Sequence, residues 1–383
     1  MKVISTERLP IKMWIESIED GAVAQLKNIA NLPFAFKHIS VMPDCHQGYG
    51  MPIGGVLATE AVVIPNAVGV DIGCGMLAMR TNLKVISLDE LKLVMGKIRT
   101  QIPVGFNHRK ESSEAKMPVR ESELKIVDEQ FSSACKQLGT LGGGNHFIEV
   151  QKGSDGFIWV MIHSGSRNIG LKVCNYYNEI AERMNEKWFS SVDVKQELAF
   201  LPMETPESKQ YFSEMNYCLD FAKANRELMM SDIQEIFYKE LNATPEEIIN
   251  IHHNYAAWEN HFGKNVIIHR KGATSAKLGQ YGIIPGSQGT KSYIVKGKGN
   301  PDSFQSCSHG AGRRMGRKQA ERELNLEEEI KKLDDQGILH AIRGKGDLDE
   351  AAGAYKDISE VMKQQEDLVD IVVELTPMGV IKG

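Results

Sequence analysis

Glycine constrains this chain more than any other residue, because its 35 copies gather in short runs where reactive polar side chains recur. The runs are PDCHQGYGMPIGG, VGVDIGCG, LGTLGGGNH, HSGSRNIG, RKGATSAK, PGSQGTKS and HGAGRR. Glycine permits positive φ and lets backbone N–H groups approach a ligand closely, so such runs serve as binding loops on a rigid scaffold; any one of them alone reads as an ordinary turn. Strand-like segments flank them at Gly55 to Val63, Phe147 to Val150, Phe157 to Ile162, Val266 to Ile268, Ser292 to Val295 and Asp370 to Leu375. Length alone, at 383 residues, fits two or three domains of ordinary size. The runs extend from residue 41 to 316, however, which predicts one site assembled from the whole chain and one catalytic domain over 1–383.

Apolar residues at three- and four-residue spacing predict a long amphipathic helix from Glu207 to about Leu241, with room for a break. Shorter helices are expected from Leu88 to about Gln101, from Thr244, which caps ProGluGlu, and from Gly312 to about Glu323. Phe106 to Glu121 and Ser190 to Glu207 read as surface loops. No stretch has the roughly 18 uninterrupted apolar residues of a membrane span, and the start MKVISTERLP lacks a signal-peptide core, so the expectation is a cytoplasmic protein without a membrane partner. Six scattered cysteines form no CxxC pair, which argues against a disulfide framework or a zinc ribbon.

A net charge of -5 disfavours a protein that coats nucleic acid through bulk positive charge. The charge is unevenly spread: His261 to Ala320 holds eleven Lys or Arg against one acid, Asp302. That block suits a phosphate-bearing partner, and equally a solvated basic face. Of 11 histidines, His46, His146, His163, His253, His269 and His309 lie in or beside the glycine runs. Imidazole and thiolate suit borderline transition metals, and carboxylate extends the range toward manganese. Asp71 and Cys74 stand three residues apart in VGVDIGCG, so both can face one ion or bridge two. A lone buried cysteine is more often a small hydrophobe, but Asp71 beside it and two histidines at strand-to-loop junctions favour a metal. Of the His252–His253 pair, one member is expected to coordinate.

PGSQGTKS departs twice from a P-loop: Ile284 takes the first glycine position and Thr290 separates Gly289 from Lys291. Its backbone N–H groups and the hydroxyls of Ser287 and Ser292 can still hold a phosphate. HGAGRR can bring a nucleophilic imidazole, His309, and a guanidinium, Arg313, to one phosphate, or form a capping turn with surface arginines.

The ordered set PDCHQGYGMPIGG, DIGCG, GGGNHFIE, HSGSR, HHNY, HRKGA, PGSQGTKSY, SHGAGR, AYKD and VIKG resembles the RNA-splicing ligase RtcB family over nearly the whole chain. The resemblance implies an α+β fold of mixed β-sheets flanked by helices. It also implies a GTP-dependent ligase that joins RNA 3′-phosphate or 2′,3′-cyclic phosphate ends to 5′-hydroxyl ends, for RNA repair or splicing. On it, Asp71, Cys74, His146, His163 and His253 hold two Mn²⁺ ions with Cys74 bridging, and His309 carries GMP. Asn145, Glu149, Ser287, Ser292, Gly310, Ala311, Gly312, Tyr355 and Lys382 form the guanylate pocket together with His309. A carboxylate such as Glu149 accepts both guanine N1–H and N2–H, donors that adenine lacks there. Arg167, His269, Arg270, Lys271 and Arg313 are expected to contact RNA or phosphate.

Cys45, Gly316 and the GluAlaAlaGlyAlaTyr run before Tyr355 depart from the common pattern, as does the Phe106 loop, and fit a specialised, compact bacterial-type paralogue. A metal-dependent phosphodiesterase or a 3′-phosphate end-capping enzyme would use the same metals and stop before sealing. A non-catalytic RNA- or metal-binding protein would have no need of His309. The physiological RNA and any activating protein partner are not readable from the sequence.

Overall fold

The computed structural model describes residues 1–120 and 122–383. Two large sheets organise it. A six-stranded sheet runs in the order Lys2–Ile4, Ile11–Met13, Ala35–His46, Ile53–Thr59, Lys264–Lys271, Asn254–His261. A seven-stranded sheet runs in the order Pro245–His252, Gly75–Thr81, Ile158–Ser164, Phe147–Gly153, Val369–Lys382, Ser292–Gly297, Tyr281–Ile284. The fold is α+β as expected. The first sheet is mixed through one parallel pair, Ile11–Met13 with Ala35–His46, whereas the second is antiparallel throughout.

Alternation along each strand divides the core. In Ile158–Ser164, Ile158, Val160 and Ile162 pack with Val94, Ile98, Met229 and Ile233 of the helices on one face, and Trp159 and Met161 pack with Ile294 and Val373 on the other. His163 follows the second parity, so the strand that fills the core also aims this imidazole. At one of the places where the chain passes between the large sheets, one strand ends at His252 and the next, at the edge of the other sheet, begins at Asn254. His253 is the single residue at that crossing.

The six segments expected as strands each fall on strands, although Gly55 to Val63 is broken at Glu60 and Ala61 and the strand after Phe157 begins at Ile158, and Leu88–Gln101 is a helix with a Ser87–Glu90 capping box. The long helix spans Pro206–Leu241 without a break, opening with Pro206 in its first turn and with Thr205 Oγ1 accepting from the Ser208 N–H at 3.3 Å. The helix expected from Thr244 is instead the strand Pro245–His252. Asn242, left-handed at φ 50°, ends the long helix, and Asn82 and Thr244 exchange hydrogen bonds that lay IleIleAsnIleHis along Gly75–Thr81. Proline at the start of an edge strand costs no ladder bond. The helix expected from Gly312 begins only at Arg317, because Arg313 is drawn into a β-bridge with Tyr355. Helices Asp20–Ala30, Lys125–Gln137 and Arg167–Lys187 were not expected. The Phe106 loop holds one short turn, Glu114–Lys116, and its end, Glu121, lies outside the described residues. The second expected loop contains a short turn, Val194–Gln196, and the two-residue strand Leu201–Pro202.

Two fully buried polar residues in the apolar stripe of the long helix tie the glycine runs together. Asn225 Oδ1 accepts from the N–H groups of Gly139 and Thr140 at 2.7 and 3.1 Å, and its amide donates to Thr140 O, Ser164 Oγ and Gly165 O. Arg226 donates to the carbonyls of Gly73 and Ser164 at 3.1 and 2.9 Å and to Asn250 Oδ1 at 2.8 Å. Each buried polar group left unpaired costs about 1–3 kcal/mol. Asn225→Leu, nearly isosteric, should therefore destabilise the protein by at least about 3 kcal/mol, read as a lowered urea midpoint. A loss below about 1 kcal/mol would show that these bonds do not hold the loops.

Candidate active site

Three of the glycine runs and the crossing at His253 meet at one point. Cys74 Sγ lies 3.3 Å from His163 Nε2 and 3.6 Å from His146 Nε2. His163 Nε2 lies 3.3 Å from His253 Nε2, and His146 Nε2 lies 3.1 Å from Asp71 Oδ2. Cys74, His163 and His253 form one potential ligand group, and Asp71, Cys74 and His146 form a second, the ligand atoms of each lying within 4.8 Å of one another. Cys74 belongs to both, the arrangement needed for a thiolate to bridge two ions.

The outer hydrogen bonds select the nitrogens. His146 Nδ1 donates to Leu141 O at 2.9 Å and His163 Nδ1 to Asn145 O at 3.1 Å, which leaves each Nε2 as a lone pair aimed inward. Burial, then neighbouring imidazoles, push His163 and His253 well below the usual histidine range, so both stay neutral, the ligating form. Burial, then the Asp71 carboxylate, push the Cys74 thiol well above its usual value. Burial alone would raise Asp71, but the hydrogen bond it accepts when His146 Nε2 carries a proton outweighs it and holds this carboxyl low; a bound cation would take the place of that proton. Converging lone pairs from two imidazole Nε2 atoms, a carboxylate and a shared sulfur fit divalent cations of the borderline class.

Glycine is required where the chain crowds this point. Gly73 has φ 75° and a Cβ there would stand 3.1 Å from Cys218 O of the long helix; a Cβ on Gly165 would stand 2.1 Å from Asp71 Oδ1. Arg167 holds the other side of the site. Its backbone is left-handed at φ 60°, and its guanidinium donates to Thr140 Oγ1 at 3.1 Å and Gly105 O at 3.0 Å. A non-glycine residue held in that region stores strain, a common feature of functional sites.

His309 stands next to the cluster, its ring centroid 4.8 Å from that of His253. Its Nδ1 donates to Asp44 Oδ2 at 2.6 Å, and the same oxygen accepts the N–H groups of His309 and Gly310 at 2.9 and 3.2 Å. Asp44 is fully buried. A carboxylate on Nδ1–H fixes the tautomer and leaves the Nε2 lone pair free for nucleophilic attack. The role of Asp44 was not expected. Its only trace in the sequence is a carboxylate in the first glycine run, two residues before His46.

A cleft of about 960 Å³ opens from His163 and His309, lined by Asn145, Glu149, Ser287, Gly310, Ala311, Gly312, Arg313, Tyr355 and Lys382 among others. The register Val380↔Glu149 and Lys382↔Phe147 brings the last strand along its wall. Burial raises the Glu149 carboxyl to about 8, partly opposed by its Gln151 hydrogen bond and by Lys382. Glu350 was not expected: buried in the wall, it accepts from Tyr355 Oη and pairs with Arg313 at 3.0 Å and Arg317 at 2.9 Å. It thereby aligns the cationic rim.

Not every expected residue reaches the cleft. Ser292 Oγ is turned inward, accepting from the Gly286 N–H at 3.1 Å and the Gln151 amide at 3.2 Å. His269, Arg270 and Lys271 are corrected to internal roles, because their strand is paired on both sides and buried along Val266–Lys271. His269 Nε2 accepts from the Ile64 N–H at 3.0 Å; Arg270 pairs with Glu259 at 2.6 Å; Lys271 Nζ donates to Tyr49 O and Asn66 O. Of the basic block, Arg313, Arg314, Arg317 and Lys318 line the cleft, and Lys291 and Lys298 pair with Glu374 and Asp370 on the surface.

Because Cys74 must lose its proton to bind a divalent ion, affinity should rise by about tenfold per pH unit between roughly pH 6 and 8. Equilibrium dialysis with Mn²⁺ checks this, and the slope should flatten in Cys74→Ala. A pH-independent affinity of the unaltered protein would exclude the thiol from the ligand set.

The family model described as tRNA-splicing ligase RtcB matches residues 25–135 and 113–383. RNA-splicing ligase RtcB of Escherichia coli K12 is 38% identical, the alignment covering 100% of this chain and 99% of that protein. The tRNA-splicing ligase RtcB of Nanoarchaeum equitans is 33% identical over 100% of this chain and 95% of its own length, and that of Thermococcus kodakarensis is 33% identical over 95% and 92%. With a family model and relatives that span it almost end to end, the chain belongs to the RtcB family of RNA ligases.

Proposed function

We propose that residues 1–383 act as one catalytic unit that joins RNA 3′-phosphate or 2′,3′-cyclic phosphate ends to 5′-hydroxyl ends, using GTP and two Mn²⁺ ions. The observation that carries this reading is the Asp44–His309 contact beside a thiolate- and imidazole-rich cluster at the floor of a cleft. RNA ligation is the activity named for the relatives.

On this reading the guanine base sits in the cleft with N1–H and N2–H donated to Glu149, and Lys382 donates to its O6. His309 Nε2 attacks the α-phosphorus; an N–P bond forms, the bond to the bridging oxygen breaks, and pyrophosphate leaves. The proton stays on Nδ1 throughout, donated to Asp44 Oδ2, and the Asp44 carboxylate stabilises the positive charge that develops on the ring. A 2′,3′-cyclic end is first opened by water to a 3′-phosphate. An oxygen of that phosphate then takes GMP from His309, so the N–P bond breaks as a P–O bond forms. The 5′-hydroxyl attacks the activated 3′-phosphate and GMP departs. Asp71, Cys74, His146, His163 and His253 would hold the metal ions, which when bound supply Lewis-acid stabilisation of phosphate charge. Arg313 and Arg317, held by Glu350, add fixed positive charge at the cleft wall.

The primary test is incubation with Mn²⁺ and [α-³²P]GTP. Wild type should form an acid-labile, alkali-stable adduct; His309→Ala and Cys74→Ala should form none; Asp44→Asn should label slower by about 10³-fold or more. Absence of label in wild type with filled metal sites would falsify the reading. End-mapped RNA products that are only capped or hydrolysed would favour the end-capping or phosphodiesterase alternative.

Glu149 supplies a pH signature. Guanine needs the carboxylate, and the free site is protonated below about 8, so GTP affinity should rise about tenfold per unit as pH climbs toward 8 and then level. The folding sign is opposite: a carboxyl raised from 4.5 to about 8 contributes stability below 4.5 that is lost as pH rises through 8. Glu149→Gln should bind GTP weakly with a flat pH profile, measured by calorimetry.

A further inference from the structure

We propose that Phe106 is a stacking platform for a base of an RNA end that approaches on the metal side of the cleft; this rests on the ligase reading above. The Phe106 side chain is wholly exposed, at 101% relative accessibility, and it is the most exposed large apolar residue among those described. Leaving such a ring in water forfeits the free energy that burial would return. Floppiness of the loop does not account for it, because the backbone is pinned on both sides. The Gly105 N–H donates to Gly142 O at 2.8 Å, Asn107 is bonded through backbone and side chain to Val104 O at 3.2 and 3.1 Å, and the Arg109 N–H donates to Lys136 O at 2.9 Å. The Arg109 guanidinium is anchored as well, on Gly139 O.

The position of this ring relates it to the site. Gly105 O accepts from Arg167 Nη2 at 3.0 Å, and Gly105 N–H reaches the LGTLGGGNH run that carries Asn145 and His146. Phe106 is thus one residue from a peptide group clamped between Arg167 and the metal-side loop. It does not line the 960 Å³ cleft, so it lies outside the nucleotide pocket. Asn107, His108 and Lys110 beside it are polar and exposed, which supplies one cation, Lys110, and hydrogen-bonding groups for a phosphate backbone. An isolated ring among polar neighbours suits a single planar partner better than a protein surface, which needs a contiguous apolar patch. Every base offers a π face, so stacking here would be tolerant of sequence, as an enzyme that joins varied ends requires.

The test compares Phe106→Ala, Phe106→Trp and Phe106→Leu in the full-length protein with Mn²⁺, GTP and paired RNA oligonucleotides. Self-labelling by GTP needs no RNA and serves as the control for the ligase reading. Phe106→Ala and Phe106→Leu should raise KM for RNA about tenfold with little change in kcat, whereas Phe106→Trp should equal or lower the wild-type KM. Single abasic positions walked through the first nucleotides of each strand identify which end is engaged: at one position the wild type should lose about tenfold and Phe106→Ala nothing further. If wild type labels with GTP but seals no RNA, the ligase reading fails. If it seals RNA while all three variants keep the wild-type KM, or every abasic position affects wild type and Phe106→Ala alike, the stacking proposal is overturned. Tight capture of a protein with RNA kinetics unchanged would overturn it in favour of a docking role.

Discussion

The active-site region depends on two adjacent side chains of one helix. Asn225 and Arg226 are fully buried, and between them they satisfy backbone groups of Gly73, Gly139, Thr140, Ser164 and Gly165. Glycine-rich loops have high chain entropy when unfolded and expose unpaired carbonyls when folded, so three of them converge stably only if something buried accepts and donates on their behalf. The amide supplies both senses of hydrogen bond, and the guanidinium supplies several donors in a fixed plane. Asp71, Cys74 and His163 lie within two residues of the tied backbone, and His146 is bonded through Nδ1 to Leu141 O, next to the tied Thr140.

That scaffold creates a dry floor whose electrostatics oppose charge until a cation arrives. The imidazoles of His163 and His253 are held neutral and the thiol protonated by burial, while the contact with His146 holds the Asp71 carboxyl low. A site of this kind couples metal binding to proton release, and thereby to pH. His309 enters from a different direction, on the loop after the strand Ser306–Ser308, and is aligned by Asp44 from the strand Ala35–His46. His309 and the cluster of potential ligands therefore belong to different parts of the fold, brought to ring contact at His253, at one of the places where the chain passes from one large sheet to the other.

The cleft wall shows the same economy of parts. Glu350 gathers Tyr355, Arg313 and Arg317 at one carboxylate, which turns arginines of a basic surface block into a fixed rim. The other cations of that block are spent elsewhere. Arg270 closes a buried pair with Glu259, and Lys271 donates to two backbone carbonyls, so the local excess of positive charge overstated the positive face presented to a ligand.

The strands beside the glycine runs, the helix Leu88–Gln101 and the long amphipathic helix were legible because local periodicity, capping and the hydrophobic pattern agree there. So was the gathering of Asp71, Cys74, His146, His163 and His253, since rare ligand types recurred beside glycines in a pattern already resembling a known family. Where local signals competed with pairing, the sheet won: ThrProGluGlu is a good helix start, yet the edge of Gly75–Thr81 took the β-branched residues that follow it. The helix Arg167–Lys187 was obscured because its first turn lies inside a run that reads as a loop. The sequence by itself determined which chemical groups are available and roughly which segments carry them. Only the tertiary structure decided that Asp44 and Glu350 orient His309 and Arg313 and that His269 and Arg270 face inward, because which distant segment a residue meets, and the side of a strand that water reaches, are properties of sheet register and burial.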